Sequence, residues 1–216
     1  MIIIGLTGKI GSGKTTTAKI IKDLGYSVFD CDESAQKILK ESQTVLKIKR
    51  MFNNKIRNLI TSNHINTNLL GNYVFSKPKD LAQLESFIHP KIKKKEKFFL
   101  FKNSISRKKI VFLDIPLMFR RENFLRCDYI VNLIVSDKIQ EQRVLMRPGM
   151  NINKFKNILN QQFYEEIRYN KFKSININTG SGIYKVRREI VKFLKKIKIR
   201  KKRKVWPRLY YLYNKT

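Results

Sequence analysis

The chain has 216 residues, 42% hydrophobic and 11% aromatic, with a formal charge of +31 from 47 Lys and Arg against 16 Asp and Glu. That length buries one domain's core, with or without small insertions. The apolar content argues against wholesale disorder, and no apolar run approaches the roughly 18 residues of a membrane span. The opening MIIIGLTGKIG has neither the length nor the cleavage site of a signal peptide, and two cysteines, Cys31 and Cys127, make no disulfide framework. Secreted and membrane-spanning classes are therefore not expected; a cytoplasmic location is. The charge admits two readings. Clustered Lys and Arg neutralise nucleic-acid phosphates, but 33 Lys, 28 Ile and 18 Asn against 3 Ala is the skew of an AT-rich coding sequence. We favour the second, because charge alone indicates attraction to anions and names no function.

Residues 1–7, MIIIGLT, form a β-branched run stopped by glycine, the pattern of a buried parallel strand. Ala18, Ile20, Ile21 and Leu24 then recur at helical spacing over 13–24, and Tyr26–Asp30 reads as a second strand. Strand, loop, helix and strand within 30 residues make a βαβ opening. From Glu33 to about Lys108 apolar residues recur every three or four positions, predicting a mostly helical insertion broken near Ser76–Pro78 and His89–Pro90. Strand patterns return at Lys109–Ile115 and Asp128–Val135. A polar helix over Asp137–Met146 follows, ended by Arg147-Pro148-Gly149, and then an amphipathic segment, Asn151–Phe163. A last strand, Ser174–Asn178, leads through Thr179–Gly182 into a C-terminal helix. Strands alternating with helices predict an α/β fold with a parallel sheet. Residues 185–216 hold +13 of the net charge, with nine basic residues in Lys192–Lys204. We read this tail as an amphipathic helix ending in a solvated extension.

Gly8-Lys9-Ile10-Gly11-Ser12-Gly13-Lys14-Thr15 satisfies G-x-x-x-x-G-K-[ST] between a predicted strand and a predicted helix, the context that motif needs. Glycines let the backbone curl so that its N–H groups converge on phosphate oxygens, and the following helix turns its positive end toward the same anion. Lys14 supplies a mobile cation and Thr15 a hydroxyl suited to Mg²⁺. The loop predicts nucleoside triphosphate binding. The length, and the lack of an N/T-K-x-D base-reading element, favour a small kinase over a switch GTPase. Such an enzyme needs a carboxylate near the second strand's end and arginines that neutralise the transferring group. Asp30 and Asp32 lie at the first place, and Arg143 and Arg147 are candidates for the second. One of the two aspartates also suits a helix N-cap for a segment starting near Glu33.

At this point the sequence resembles dephospho-CoA kinases. GLTGKIGSGKT with LGYSVFDCDESA is similar to that family's opening, and LE-x-x-IHP at 84–90, DIPLMF at 114–119 and Q-x-x-R-x-x-x-RPGM at 140–150 follow in order, with Gln162 and Thr179-Gly180 matching later positions. The resemblance covers about residues 1–195. It implies a P-loop kinase domain over 1–197, with a helical substrate-binding insertion at about 33–108, a lid at about 137–165, and a basic aromatic extension at 198–216 beyond the family pattern. It implies ATP and Mg²⁺ as cofactors and the last step of coenzyme A synthesis as the reaction. Asp32 matches the family's aspartate that orients or deprotonates the acceptor hydroxyl. Gly11, Ser12, Gly13, Lys14, Thr15 and Thr16 match the ATP loop, and Arg143 and Arg147 match lid arginines. Asp114, at a strand end, suits Mg²⁺ held through water and equally a structural role. We read His89-Pro90 as a helix-breaking turn with a packed imidazole. Lys9 and Arg120 depart from the family's glycine and glutamate, with Glu122 two residues past Arg120, and Ser174 and Asn176 weaken a strand signal.

The expected partner is a small molecule, dephospho-CoA, bound by a monomer without nucleic acid. Two other readings stay open on the sequence. One is a P-loop kinase acting on nucleotides or nucleosides. The other is a decayed nucleotide-binding module whose basic tail touches RNA or an anionic membrane.

Overall fold

The computed structural model describes residues 1–115, 125–163 and 174–199. Its described chain divides into two compact units, one of residues 1–30 with 100 onward and one of Cys31–Phe99.

The first unit is a five-stranded parallel sheet. Its strands are β1 (Ile2–Gly8), β2 (Ser27–Asp30), β5 (Ile110–Asp114), β6 (Tyr129–Ile134) and β7 (Ser174–Asn178), in the order β2-β5-β1-β6-β7. β1 and β5 read as unbroken apolar runs because both faces are covered, and every residue of β5 is buried. β7, SININ, lies at an edge, where alternate positions face water and tolerate Ser and Asn; Asn176 there accepts a 2.9 Å hydrogen bond from Asn132 of β6. So the weak strand signal at Ser174 and Asn176 reflects edge position. Helix α1 (Lys14–Asp23) buries Ala18, Ile20 and Ile21 in one cluster with Ile4, Leu6 and Phe112. The C-terminal helix α8 (Ile183–Ile199) adds Val186, Ile190, Phe193, Leu194 and Ile197, spaced three and four apart, to the same cluster. Each such aliphatic or aromatic side chain contributes roughly 1.5–3 kcal/mol on burial.

Helices α6 (Asp137–Leu145) and α7 (Ile152–Phe163) also belong to this unit. The DIPLMF match beyond Ile115, with Arg120 and Glu122, and the extension from residue 200 lie outside the described residues, as does the end of the expected lid at 164–165.

The second unit is mostly helical, as its periodicity predicts: α2 (Cys31–Leu39), α3 (Ser42–Phe52), α4 (Thr67–Phe75) and most of α5 (Pro78–Ile105). Ile48, Phe52, Ile56, Leu59, Leu70 and Val74 form its buried cluster, with Leu81, Leu84 and Phe87 packed against it. Two features differ from expectation. A small antiparallel hairpin, β3 (Ile60–Thr61) with β4 (His64–Ile65), turns on Ser62 and Asn63, both at positive φ (48° and 60°). A two-residue turn of this kind usually declares itself through Asn-Gly or Asp-Gly, and Ser-Asn hides it. The chain also does not break at His89-Pro90, because α5 continues through Pro90. An interior proline costs about 3 kcal/mol or more. Here Leu84, Phe87 and the buried Ile88 anchor the turn before it, and Lys91 and Lys95 pair with Glu41 on the turn after it.

Candidate active site

Parallel α/β sheets place ligands at the carboxyl ends of their strands, where consecutive crossovers diverge. β1 leaves the sheet centre at Gly8, and the motif loop bridges it to α1 at that edge. Gly11 and Gly13 sit at φ 78° and 86°, the left-handed region where an L side chain is strained. Space excludes a side chain at Gly11 as well: a Cβ there would lie 2.8 Å from Val144 Cγ2 and 3.0 Å from the Gln140 carbonyl oxygen. Gly13 caps α1, so the helix's positive end opens at the loop.

Asp114 ends β5 and is buried, and its Oδ1 lies 3.0 Å from Lys14 Nζ. The two elements meet because β5 is hydrogen-bonded directly to β1, with Leu6 in register with Asp114. Asp30, ending β2, is in register with Asp114 from the other side. The loop's cation and two strand-end carboxylates therefore share one edge of the sheet. Asp32 follows two residues later, exposed in the first turn of α2, where its charge suits the helix's positive end. The helix begins at Cys31, two residues before the expected start near Glu33, so Asp32 stands within the helix.

Thr15 and Thr16 are exposed in the first turn of α1, open to a ligand. Ser12 Oγ is buried without a hydrogen-bond partner among the described residues. A buried hydroxyl in that state costs free energy unless a ligand completes it, which is what a phosphate-binding loop provides. No group of three or more His, Cys, Asp or Glu is gathered to hold a metal among the described residues. Mg²⁺ in phosphoryl transfer asks for less: one or two protein oxygens, with substrate phosphates and water filling the rest. A hydroxyl at Thr15 and a carboxylate at Asp114 fit that demand.

The two candidate arginines are placed differently. Arg147 is exposed beyond the end of α6. Arg143 is half-buried against the loop's own backbone: its Nη1 donates to Thr179 Oγ1 (3.0 Å) and, at 3.4 Å, to Gly11 O, and its Nη2 donates to Thr179 O (3.1 Å). Sequence reasoning did not assign a site role to the residues around it. Gln140 Nε2 donates to Ile10 O (2.6 Å), Gln162 Oε1 accepts from the Ile10 N–H (3.0 Å), and Thr179 Oγ1 donates to Ser12 O (2.8 Å). Gln140 and Arg143, three apart on a predicted helix, share a face, and this spacing was the available clue.

Residues 2–182 match the profile of the dephospho-CoA kinase family. The chain is 32% identical over 197 residues to the dephospho-CoA kinase of Agrobacterium fabrum, covering 91% of this chain and 98% of that one. Among solved structures, the fold matches a Thermus thermophilus protein with a TM-score of 0.74 at 26% identity, over 91% of this chain and 97% of that one. It also matches the dephospho-CoA kinase of Campylobacter jejuni with a TM-score of 0.64 at 26% identity, over 90% and 96%. With the complete phosphate loop at the centre of a parallel sheet and collinear similarity over most of its length, the chain belongs to the dephospho-CoA kinase family.

Proposed function

We propose that this protein transfers the γ-phosphoryl group of ATP to the ribose 3′-hydroxyl of dephospho-CoA, giving CoA and ADP. The observation that carries this reading is the completed loop, with Lys14 paired to the strand-end Asp114, in a chain of this family. In the reaction the acceptor oxygen bonds to Pγ as the Pγ–O bond to the β-phosphate breaks, and the hydroxyl proton leaves. Asp32 is the group proposed to orient that hydroxyl and take its proton. The backbone N–H groups of Gly11 and of Gly13 to Thr16, with the α1 dipole and Lys14, hold the phosphates and offset charge as it develops on the leaving ADP. Arg147 adds a cation from beyond α6, and Arg143 adds its positive charge from behind the loop. Thr15 and Asp114 would hold Mg²⁺, which would supply charge neutralisation on the phosphates. The helical insertion takes the acceptor, and α6 with α7 makes the lid. The enzyme acts as a cytoplasmic monomer on small molecules rather than nucleic acid.

The test is ADP release with dephospho-CoA as acceptor, compared with nucleosides and nucleoside monophosphates. Turnover confined to dephospho-CoA is expected, and turnover on nucleotides alone would replace this reading with that of a nucleotide kinase. Asp32→Asn should lower kcat by about a hundredfold or more while leaving ATP affinity unchanged. Unaltered turnover removes Asp32 from its role.

A further inference from the structure

We infer that Gln140, Arg143 and Thr179 form a brace behind the phosphate loop and act as positioning residues for the triphosphate. The inference rests on reading that loop as the ATP site. Three consecutive carbonyls of the loop each receive a side-chain donor: Ile10 O from Gln140 at 2.6 Å, Gly11 O from Arg143 at 3.4 Å and Ser12 O from Thr179 at 2.8 Å. A peptide unit is planar and trans, so its C=O and the next residue's N–H point opposite ways. Holding the carbonyls of 10, 11 and 12 on one side therefore turns the N–H groups of 11, 12 and 13 toward the other. The Ser12 N–H bonds within the loop to Lys9 O at 3.0 Å, and Gly11 and Gly13 supply the outward pair.

The brace is itself tied together. Thr179 Oγ1 donates to Ser12 O while accepting from Arg143, whose second arm reaches Thr179 O at 3.1 Å, a forked geometry that lysine cannot reproduce. Gln162 of α7 accepts the Ile10 N–H at 3.0 Å, so both backbone polar groups of Ile10 are held. The base under Thr179 is tight as well: Asn178 Oδ1 accepts the Gly180 N–H at 2.9 Å, and a Cβ on Gly180 would lie 3.1 Å from Ile139 Cδ1. Gln140 and Thr179 are buried, so water does not replace these bonds when one is removed. A glycine-rich loop is otherwise costly to order, and ordering it before ATP arrives converts that cost into affinity.

The test is calorimetric titration of the full chain with a non-hydrolysable ATP analogue, with no acceptor present. Thr179→Val keeps the side chain's volume and deletes the bridging hydroxyl. It should lower the ligand-free melting temperature modestly and weaken ATP-analogue binding about tenfold in the folded chain, while leaving dephospho-CoA affinity unchanged, and Thr179→Ser should restore binding. Wild-type affinity in a folded Thr179→Val chain overturns the proposal, as does a Ser variant no better than Val. If Thr179→Val does not fold, Gln140→Glu, which exchanges the donor amide for an acceptor of equal size, decides by the same reading. A wild type that binds the analogue but does not phosphorylate dephospho-CoA overturns only the proposed acceptor. One that does not bind the analogue overturns both.

Discussion

In the unit built from residues 1–30 and 100 onward, central strands are buried on both faces and the key polar side chains bond to backbone. Gln140, Arg143 and Thr179 all end on carbonyls of one loop, and Lys14 pairs with a buried carboxylate. In the unit of Cys31–Phe99, helices close over a smaller apolar cluster. Its recorded charge pairs, Lys55–Asp80, Lys37–Glu33 and Glu41 with Lys91 and Lys95, lie toward water. The first arrangement fixes individual atoms, since Gln140 and Thr179 are buried and little solvent can substitute for their bonds to the loop. The second fixes only a shape, because exposed ion pairs are screened and interchangeable. Chemistry that demands placed dipoles belongs with the first.

Removing the loop cation tests the contrast hardest. Lys14→Ala should lower kcat/KM about a thousandfold with an unchanged fold by circular dichroism; a mild effect would mean that the loop amides alone hold the phosphates. Core truncations come next. Phe112→Ala in the sheet should cost about 3–5 kcal/mol in denaturant unfolding and take ATP binding with it. Phe52→Ala, equally buried in the helical unit, should cost a similar amount yet leave ATP affinity intact and impair only dephospho-CoA binding. Equal loss of both ligands would show that the two units melt as one.

The smallest effect concerns Asp80. Its hydrogen bond from Lys55 (2.7 Å) holds the carboxyl below its ordinary 3.8, and the same bond raises Lys55 above 10.5. A depressed carboxyl stabilises the fold above its unfolded value and loses that contribution as pH falls through the folded one; for a raised amine the loss comes on the alkaline side. The pair therefore contributes between about pH 3.8 and 10.5. Asp80→Asn should lower the melting temperature slightly within that window, less in high salt, and not at all in stronger acid. A large, salt-independent drop would place Asp80 among the fixed contacts instead.

Much of this architecture is legible in the amino-acid order. The β-branched run before Gly8, the loop motif and the apolar spacing of α1 each follow from local chemistry. Hence β1, α1, β2, β5, β6 and β7 fall within one or two residues of expectation. Local signals fail where a distant contact outweighs them. Pro90 reads as a break, yet packing of Leu84, Phe87 and Ile88 with pairing to Glu41 carries α5 through it. Ser62-Asn63 lies in the stretch expected to be mostly helical, yet it closes a hairpin.

The site divides along the same line. Gly11 to Thr16 can be named from the motif, because phosphate binding needs those residue types at that spacing. That Asp114 rather than water faces Lys14 follows from the sheet order, which sets β5 beside β1 across more than 100 intervening positions. Arg143 can be picked out as a cation, but its donors turn to Gly11 and Thr179 only because α6 and the turn after β7 are folded against the loop. Sequence alone determined which phosphate-binding groups this chain carries, since they are consecutive and their geometry is local. Tertiary structure decided which way those groups face, since orientation is set by hydrogen bonds whose partners lie 130 to 167 residues away.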